Sequence, residues 1–229
     1  KPLLRALETE PDRWDTSSLK LMISSGAMFT TEVKRGLIDH VPELAIADIL
    51  GSTEGGMGQS IMTKDTPASE TAKFTLLPVA KVLVPDGSRE VVPGSGEVGM
   101  VAQGGMVPLG YYKDPEKSAK TFKEVDGKRY AFIGDMATVE ADGTINLLGR
   151  GSNCINTGGE KVFPEEVEEA LKLHPAVEDA LVFGLEDERF GNRVAGVVSI
   201  EKGGTADADE VLEATRKLLA SYKLPKELL

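Results

Sequence analysis

Cysteine and histidine are scarce in this chain of 229 residues, which has one cysteine, Cys154, and two histidines, His40 and His174. A lone thiol excludes an internal disulfide framework and fits a reducing compartment. These three side chains cannot furnish a Cys/His zinc site of the usual four-ligand kind. Basic residues are also in deficit, 26 Lys and Arg against 37 Asp and Glu, for a net charge of −11. That balance argues against nucleic acid and anionic membrane surfaces, both of which favour Lys/Arg patches. Long apolar runs are missing too. A stretch such as residues 194–198 falls far short of the roughly 20 residues that span a bilayer. The N-terminal Lys1-Pro2-Leu3-Leu4-Arg5 opens no signal-peptide core. The expectation is a cytoplasmic protein with no transmembrane segment and no nucleic-acid partner.

With 41% hydrophobic and 28% charged residues, the composition is that of ordinary globular material, enough for one large domain or two small ones. Residues 19–23 and 45–50 read as short strands. Between them Thr30 or Thr31 can cap a helix that puts Val33, Leu37, Ile38 and Val41 on one face. Strand, helix, strand and glycine-rich loop in that order suggest a parallel α/β unit with the loop at the carboxyl end of the sheet, where ligands bind. After about Thr71 the texture changes. Short strand candidates at 79–84, 97–103, 137–140 and 144–148 alternate with turns such as Pro85-Asp86-Gly87 and Ala141-Asp142-Gly143. They predict an antiparallel β region resembling a small barrel. After Arg150 comes a flexible polar stretch, then a helix starting at Pro164. Strands follow at 177–183 and 194–200, and a last helix places Val211, Leu212, Thr215, Leu218 and Leu219 on one face. The expected division is residues 1–150, α/β plus a β-barrel-like subdomain, and residues 151–229, a small α+β domain.

Four stretches could carry chemistry. Gly51-Ser52-Thr53-Glu54-Gly55-Gly56 offers backbone N–H groups and a hydroxyl to a phosphate, and a carboxylate to Mg²⁺; a solvated turn reads equally well. Gly134-Asp135, after a strand, could receive both hydroxyls of a ribose, and a turn aspartate is the plainer reading. Arg150 could bridge ribose and phosphate oxygens or simply be exposed in a hinge. Gly158-Gly159 allow close backbone approach or serve an ordinary loop before a helix. Cys154 and His174 read as a buried thiol and a helix-end histidine, not a nucleophile–base pair.

The order and spacing of these stretches resemble the adenylate-forming acyl-CoA synthetases. Gly51-Ser52-Thr53-Glu54 is similar to the family's Tyr-Gly-x-Thr-Glu motif. Gly96-Glu97-Val98-Gly99 and Gly110-Tyr111-Tyr112-Lys113-Asp114-Pro115-Glu116 resemble its Gly-Glu…Gly-Tyr…Pro-Glu stretch. Gly134-Asp135, Asp142-Gly143 and Leu148-Gly149-Arg150 resemble its Thr-Gly-Asp…Asp-Gly…Gly-Arg series. The segment from Ile155 to Glu168 is similar to its Ile-Lys-x-x-Gly…Pro-x-Glu-Ile/Val-Glu block. The likeness covers nearly the whole chain, and the residues 148–167 resemble bacterial enzymes acting on fatty acids or steroid side-chain acids.

The resemblance implies a two-step reaction, in which a carboxylate attacks the α-phosphate of ATP and the CoA thiol then attacks the acyl-adenylate. By the same resemblance Gly26, Ala27 and Asp48 border the adenine, with Gly51 and Ser52 in the nucleotide loop. Thr53 binds the α-phosphate and Glu54 holds Mg²⁺, which makes these two the catalytic pair. Asp135 receives the ribose hydroxyls, with Arg150 assisting. Ser152 is the pivot of a mobile small domain, and Gly158 and Gly159 line the CoA tunnel. Gly55 and Gly56 would leave room for a bulky acyl group. Leu50, Ile133 and Asn156 depart from the family's usual Tyr, Thr and Lys.

Two parts of the family's catalytic set have no counterpart here, the phosphate-gripping Ser/Thr/Gly-rich loop and the adenylating lysine; neither Lys223 nor Lys226 matches the latter's surroundings. The chain is therefore expected to be the C-terminal portion of a longer enzyme, inactive alone and lacking its N-terminal half. The expected partners are a small carboxylate, ATP and CoA, with a homo-oligomer left open. The alternatives are a ligase loading a carrier protein, a non-catalytic adenylate-binding module, and a split enzyme whose first half is a separate chain.

Overall fold

Residues 1–26, 29–67 and 73–229 are described in the computed structural model, and they divide into two units, Lys1–Leu147 and Leu148–Leu229. No helix among the described residues is long and apolar enough to cross a membrane.

In the first unit, α1 (Pro2–Thr9) precedes β1 (Leu21–Ser25), α2 (Thr31–His40) and β2 (Ala45–Ser52). Thr30 caps α2, its hydroxyl accepting from the Val33 N–H at 3.4 Å, which satisfies one of the amide donors orphaned at a helix start. Val33, Leu37 and Ile38 then fall on the buried face, packed with Leu7, Leu44, Ile46 and Met62. Strands β1 and β2 pair in parallel, Leu21 beside Ala45 and Ser25 beside Ile49, so the expected strand–helix–strand unit is present. Its exit is not the expected loop. After a two-residue turn at Thr53-Glu54 the chain returns as β3 (Gly55–Met62), antiparallel to β2 with Ser52 opposite Gly55.

Antiparallel pairing then continues through β4 (Lys73–Leu76), β5 (Ala80–Leu83) and β6 (Gly99–Gln103). The short α3 (Pro115–Thr121) leads into β7 (Phe122–Val125), β8 (Lys128–Val139) and β9 (Ile145–Arg150). Among the described residues the sheet order is β1-β2-β3-β4-β9-β8-β6-β5, with β7 against β8. This path has two free ends and does not close, so the expected barrel is replaced by an open sheet. Strand β8 runs through the Gly134-Asp135 step that the sequence marks as a strand end. Met100 of β6 pairs with Met136 and Ala102 with Phe132, which leaves Ile133, Gly134 and Asp135 opposite Val101 alone, a β-bulge. The core beneath holds Leu50, Met57, Val82, Val101, Ala137 and Ile145.

The second unit opens with one 3₁₀ turn at Gly151–Asn153, then β10 (Ile155–Thr157), β11 (Glu160–Val162) and α4 (Pro164–Lys172). Strands β12 (Val177–Asp187) and β13 (Gly191–Ile200), α5 (Ala208–Thr215) and β14 (Glu227–Leu228) follow. Its sheet runs β11-β10-β13-β12, with β14 beside β13. Val167 and Leu171 of α4 and Val211 of α5 pack on Val177, Val182 and Val194. The Glu168 carboxylate accepts the Val182 N–H at 2.9 Å and so covers a donor on the edge strand β12. Asp207 and Glu210 form a reciprocal capping box at the start of α5. The last helix is shorter than its apolar spacing predicts. It stops at Thr215, and Leu218, assigned to its inner face, is 53% exposed.

Candidate functional site

In the first unit the candidate residues gather where β1 and β2 end. The Ser25 hydroxyl donates to the Ile49 carbonyl at 2.9 Å and ties the two strand ends together. Gly26 follows with φ +81°, and among the described residues, chain neighbours aside, a side chain there would meet no atom within 4 Å. Ala27 lies outside the described residues. Gly51 and Ser52 close β2, and Thr53 is exposed on the hairpin turn. The Ser52 hydroxyl accepts the Glu54 N–H at 3.2 Å, which fixes the turn.

Glu54 is engaged from across the unit, where the Tyr111 hydroxyl donates to its Oε1. That hydrogen bond, with smaller help from Ser52 and Lys117, holds the Glu54 carboxyl below its ordinary range in spite of partial burial. The same bond pushes the Tyr111 phenol up. Glu54 is thus ionised at neutral pH. Among the described residues no three His, Cys, Asp or Glu side chains converge on one point. One carboxylate beside a free-standing hydroxyl suits Mg²⁺, which takes one or two protein carboxylates and completes its shell with phosphate oxygens and water. The donor set fits that ion in company with a nucleotide, and does not fit a metal held by protein alone.

Asp48, expected to border the adenine, is engaged within the protein. It is buried on β2, its Oδ2 paired with the Lys34 ammonium of α2, while Oδ1 has no hydrogen-bond partner among the described residues. The room expected beside Gly55 is also filled. A Cβ there would stand 2.9 Å from Cγ and Nε2 of Gln103. The buried Gln103 amide donates to the Gly104 carbonyl at 2.9 Å, and Gln103 pairs with Ala131 on β8, the strand that carries Asp135. Asp135 is half-buried in the β8 bulge, next to Gly134 at φ +97°, where among the described residues, chain neighbours aside, no atom lies within 4 Å of a would-be side chain.

In the second unit, Gly149 has φ +125°, and the Glu165 carboxylate occupies the place of its missing side chain. Glu165 Oε1 also accepts the Arg150 N–H at 3.4 Å. Ser152, the expected pivot, lies in the 3₁₀ turn with its hydroxyl on Asn153 Oδ1 at 3.2 Å. Gly158 and Gly159 form the two-residue turn of the β10–β11 hairpin, both at positive φ. Such a turn favours glycine on geometric grounds alone. Burial pushes the Cys154 thiol up, and His174 Nδ1 accepts the Ala176 N–H at 3.2 Å; neither is arranged for nucleophilic chemistry.

Residues 166–229 match the AMP-binding enzyme C-terminal domain. Over 99% of its length the chain is 46% identical to the 3-oxocholest-4-en-26-oate–CoA ligase of Rhodococcus rhodochrous, covering 41% of that protein. It is 46% identical, over 100% of its length and 42% of the relative, to the medium/long-chain-fatty-acid–CoA/3-oxocholest-4-en-26-oate–CoA ligase of Mycolicibacterium smegmatis. The crystal structure of ATP-bound MatB from Rhodopseudomonas palustris matches with a TM-score of 0.76 at 29% identity, over 93% of this chain and 42% of that one. Along its length the chain is similar to acyl-CoA ligases, and its residues 166–229 match the AMP-binding enzyme C-terminal domain. It spans about two fifths of the length of the curated relatives it matches.

The sequence singled out the residues of the hairpin turn and of the bulge, reading them as a loop and a strand end, and missed what supports them. Gln103 and Lys34 carry no local signal, because their partners Gly55 and Asp48 are distant in sequence. Tyr111 lay in a recognised motif without a role. Its position directly after Gly110 and shortly before the Asp114-Pro115 helix start was the available clue.

Proposed function

We propose that this chain is the C-terminal portion of an ATP-dependent acyl-CoA ligase that activates a medium- or long-chain fatty acid or a steroid side-chain acid in the cytoplasm. The observation that carries this reading is 46% identity along 99% of the chain to a ligase whose name specifies a steroid side-chain acid. Residues 1–150 would belong to the large adenylate-binding domain, and residues 151–229 would be the small domain that turns about Ser152 between the two steps.

In this reading a substrate carboxylate oxygen bonds to the α-phosphorus of ATP and the bond to pyrophosphate breaks. The CoA sulfur then bonds to the acyl carbonyl carbon and AMP leaves. Thr53 would donate its hydroxyl to an α-phosphate oxygen, adding a preorganised donor where charge develops. Glu54, ionised and held by Tyr111, would bind Mg²⁺. That ion supplies charge neutralisation on the phosphates when present. Gly26, Ala27 and the Gly51–Ser52 backbone would border the base and phosphates. Asp135 would accept both ribose hydroxyls from its bulge, with Arg150 as a further donor. Gly158 and Gly159 would line the path of the CoA arm. Asp48, committed to Lys34, is given a structural role.

The test is an assay of the complete gene product with ATP, Mg²⁺, CoA and a panel of fatty and 3-oxo-steroid side-chain acids, following pyrophosphate and acyl-CoA. Acyl-CoA formation with at least one acid is expected. Pyrophosphate release with transfer only to a pantetheinylated carrier protein would replace CoA as acceptor. Absence of both nucleotide binding and pyrophosphate release would overturn the ligase reading in favour of a non-catalytic module.

A further inference from the structure

Glu54 stands on a two-residue turn with an exposed neighbour, Thr53. A carboxylate on such a turn has several rotamers open to it. Here one is selected by a residue far away in sequence, and that residue is itself firmly anchored. The Tyr111 N–H donates to the Ser118 hydroxyl at 2.8 Å, and that hydroxyl donates in turn to the Asp114 carbonyl at 2.6 Å. The Tyr111 ring packs on Phe122 with centroids 5.3 Å apart, and the Lys117 ammonium lies 4.3 Å from its centre. The approach of the chain to Tyr111 is pinned as well. Arg129 donates to the carbonyls of Pro108 and Leu109 at 3.2 and 2.7 Å while lying over Phe122. On the other side of the turn, Gln103 fills the space at Gly55.

We propose that Tyr111 is the positioning residue of Glu54, its hydroxyl holding one carboxylate oxygen so that the remaining lone pairs are presented to a divalent cation in one fixed orientation. The proposal rests on the reading of Glu54 as the cation-binding carboxylate. An ionised carboxylate offers about four acceptor sites, so one bond to Tyr111 leaves the group able to bind a cation while removing its rotational freedom. Outer partners of this kind typically alter metal affinity by about 10- to 100-fold when removed. The role belongs to the hydroxyl and not the ring, because the ring's contacts to Phe122 and Lys117 survive replacement by Phe.

The test uses the complete gene product with a non-hydrolysable ATP analogue and Mn²⁺ as the probe, read by the loss of the free Mn²⁺ resonance. Tyr111→Phe, Glu54→Gln and the double variant are titrated, each checked for an unchanged melting temperature. We expect Tyr111→Phe to raise the half-saturating Mn²⁺ concentration about tenfold, Glu54→Gln to raise it further, and the double variant to equal Glu54→Gln alone. A Tyr111→Phe titration within twofold of the parent, beside a weakened Glu54→Gln, would overturn the positioning role and leave Glu54 as the cation site. A tenfold loss from Tyr111→Phe that persists in the Glu54→Gln background would also overturn it, since the hydroxyl would then act by another route. Unchanged binding by Glu54→Gln would remove the cation reading of Glu54 itself.

Discussion

The Lys34–Asp48 pair tests whether a charged residue at the edge of the candidate nucleotide site belongs to the ligand or to the fold. Both side chains are almost wholly buried, 6% and 12% exposed, between α2 and β2. Replacing Lys34 by Met keeps most of the side-chain volume, so the cavity contribution is small and the change isolates the charge. Asp48 would be left in the interior without its counter-ion, and removing one partner of a buried pair costs about 3–5 kcal/mol. Against a typical domain stability of about 5–15 kcal/mol, that is a large fraction. Restoring neutrality with Asp48→Leu in the same chain should recover the loss, because apolar replacement of a whole buried pair is often neutral or stabilising. The assay is urea unfolding followed by circular dichroism, read as a midpoint shift at constant slope. A Lys34→Met loss under about 1 kcal/mol, or a double variant no better than the single one, would refute the reasoning from burial. A second readout follows in the complete gene product, where the double variant is expected to keep nucleotide affinity within twofold of the parent; a loss of nucleotide binding with an intact fold would return Asp48 to the site.

Three further outcomes follow from the geometry. Gly149→Ala would place a methyl on the Glu165 carboxylate at a backbone angle of +125°, and should cost about 1–3 kcal/mol in a thermal melt; Glu165→Ala in the same chain should relieve the clash but leave the backbone strain. Burial raises the Glu168 carboxyl above its ordinary value, so its ionisation weakens the native state as the pH rises from the ordinary carboxylate range through the raised value. Glu168→Gln keeps an acceptor for the Val182 N–H without the charge, and is expected to melt above the parent at pH 7 and level with it below about pH 4; a difference independent of pH would contradict this. Deleting the fully buried Met57 side chain as Met57→Ala should cost about 2–5 kcal/mol by chemical denaturation.

Local patterns made α2 legible, since the spacing of Val33, Leu37 and Ile38 and the hydroxyl of Thr30 all lie within one helix. The parallel pairing of β1 with β2 followed from the helix between them. Strand β3 was hidden because Gly55, Gly56 and Gly58 are poor strand formers, and only their pairing with β2 makes them extended. The bulge in β8 was misread for a related reason. Gly134-Asp135 looks like a terminus along the chain, whereas the pairs Met100–Met136 and Ala102–Phe132 carry the strand past it. Leu218 misled in the opposite direction. Its apolar spacing continued the α5 pattern, but the backbone leaves the helix at Thr215, and spacing alone does not say where hydrogen bonding stops. The candidate site followed the same division. Motif residues were readable one by one, and their supports, Tyr111, Gln103, Lys34 and Glu165, come from other elements.

Those supports separate two kinds of missing side chain that look identical in the sequence. At Gly55 the absent side chain is replaced by Gln103, so this glycine serves close packing of the hairpin on β6. At Gly134, among the described residues and chain neighbours aside, no atom lies within 4 Å of the place a side chain would take, so the described packing places no steric demand there. A bulge that exposes open space beside a carboxylate on a sheet is the arrangement by which strands re-aim a side chain toward a ligand. The open position adjoins Asp135, proposed to meet the ribose, while the filled one adjoins Glu54, proposed to be held by Tyr111. The physical demands therefore differ at the two ends of the candidate site. In the proposed reading, the protein around the carboxylate that would meet a cation is filled in, which restricts how that group can turn. Around the carboxylate that would meet a sugar, it leaves volume for a ligand.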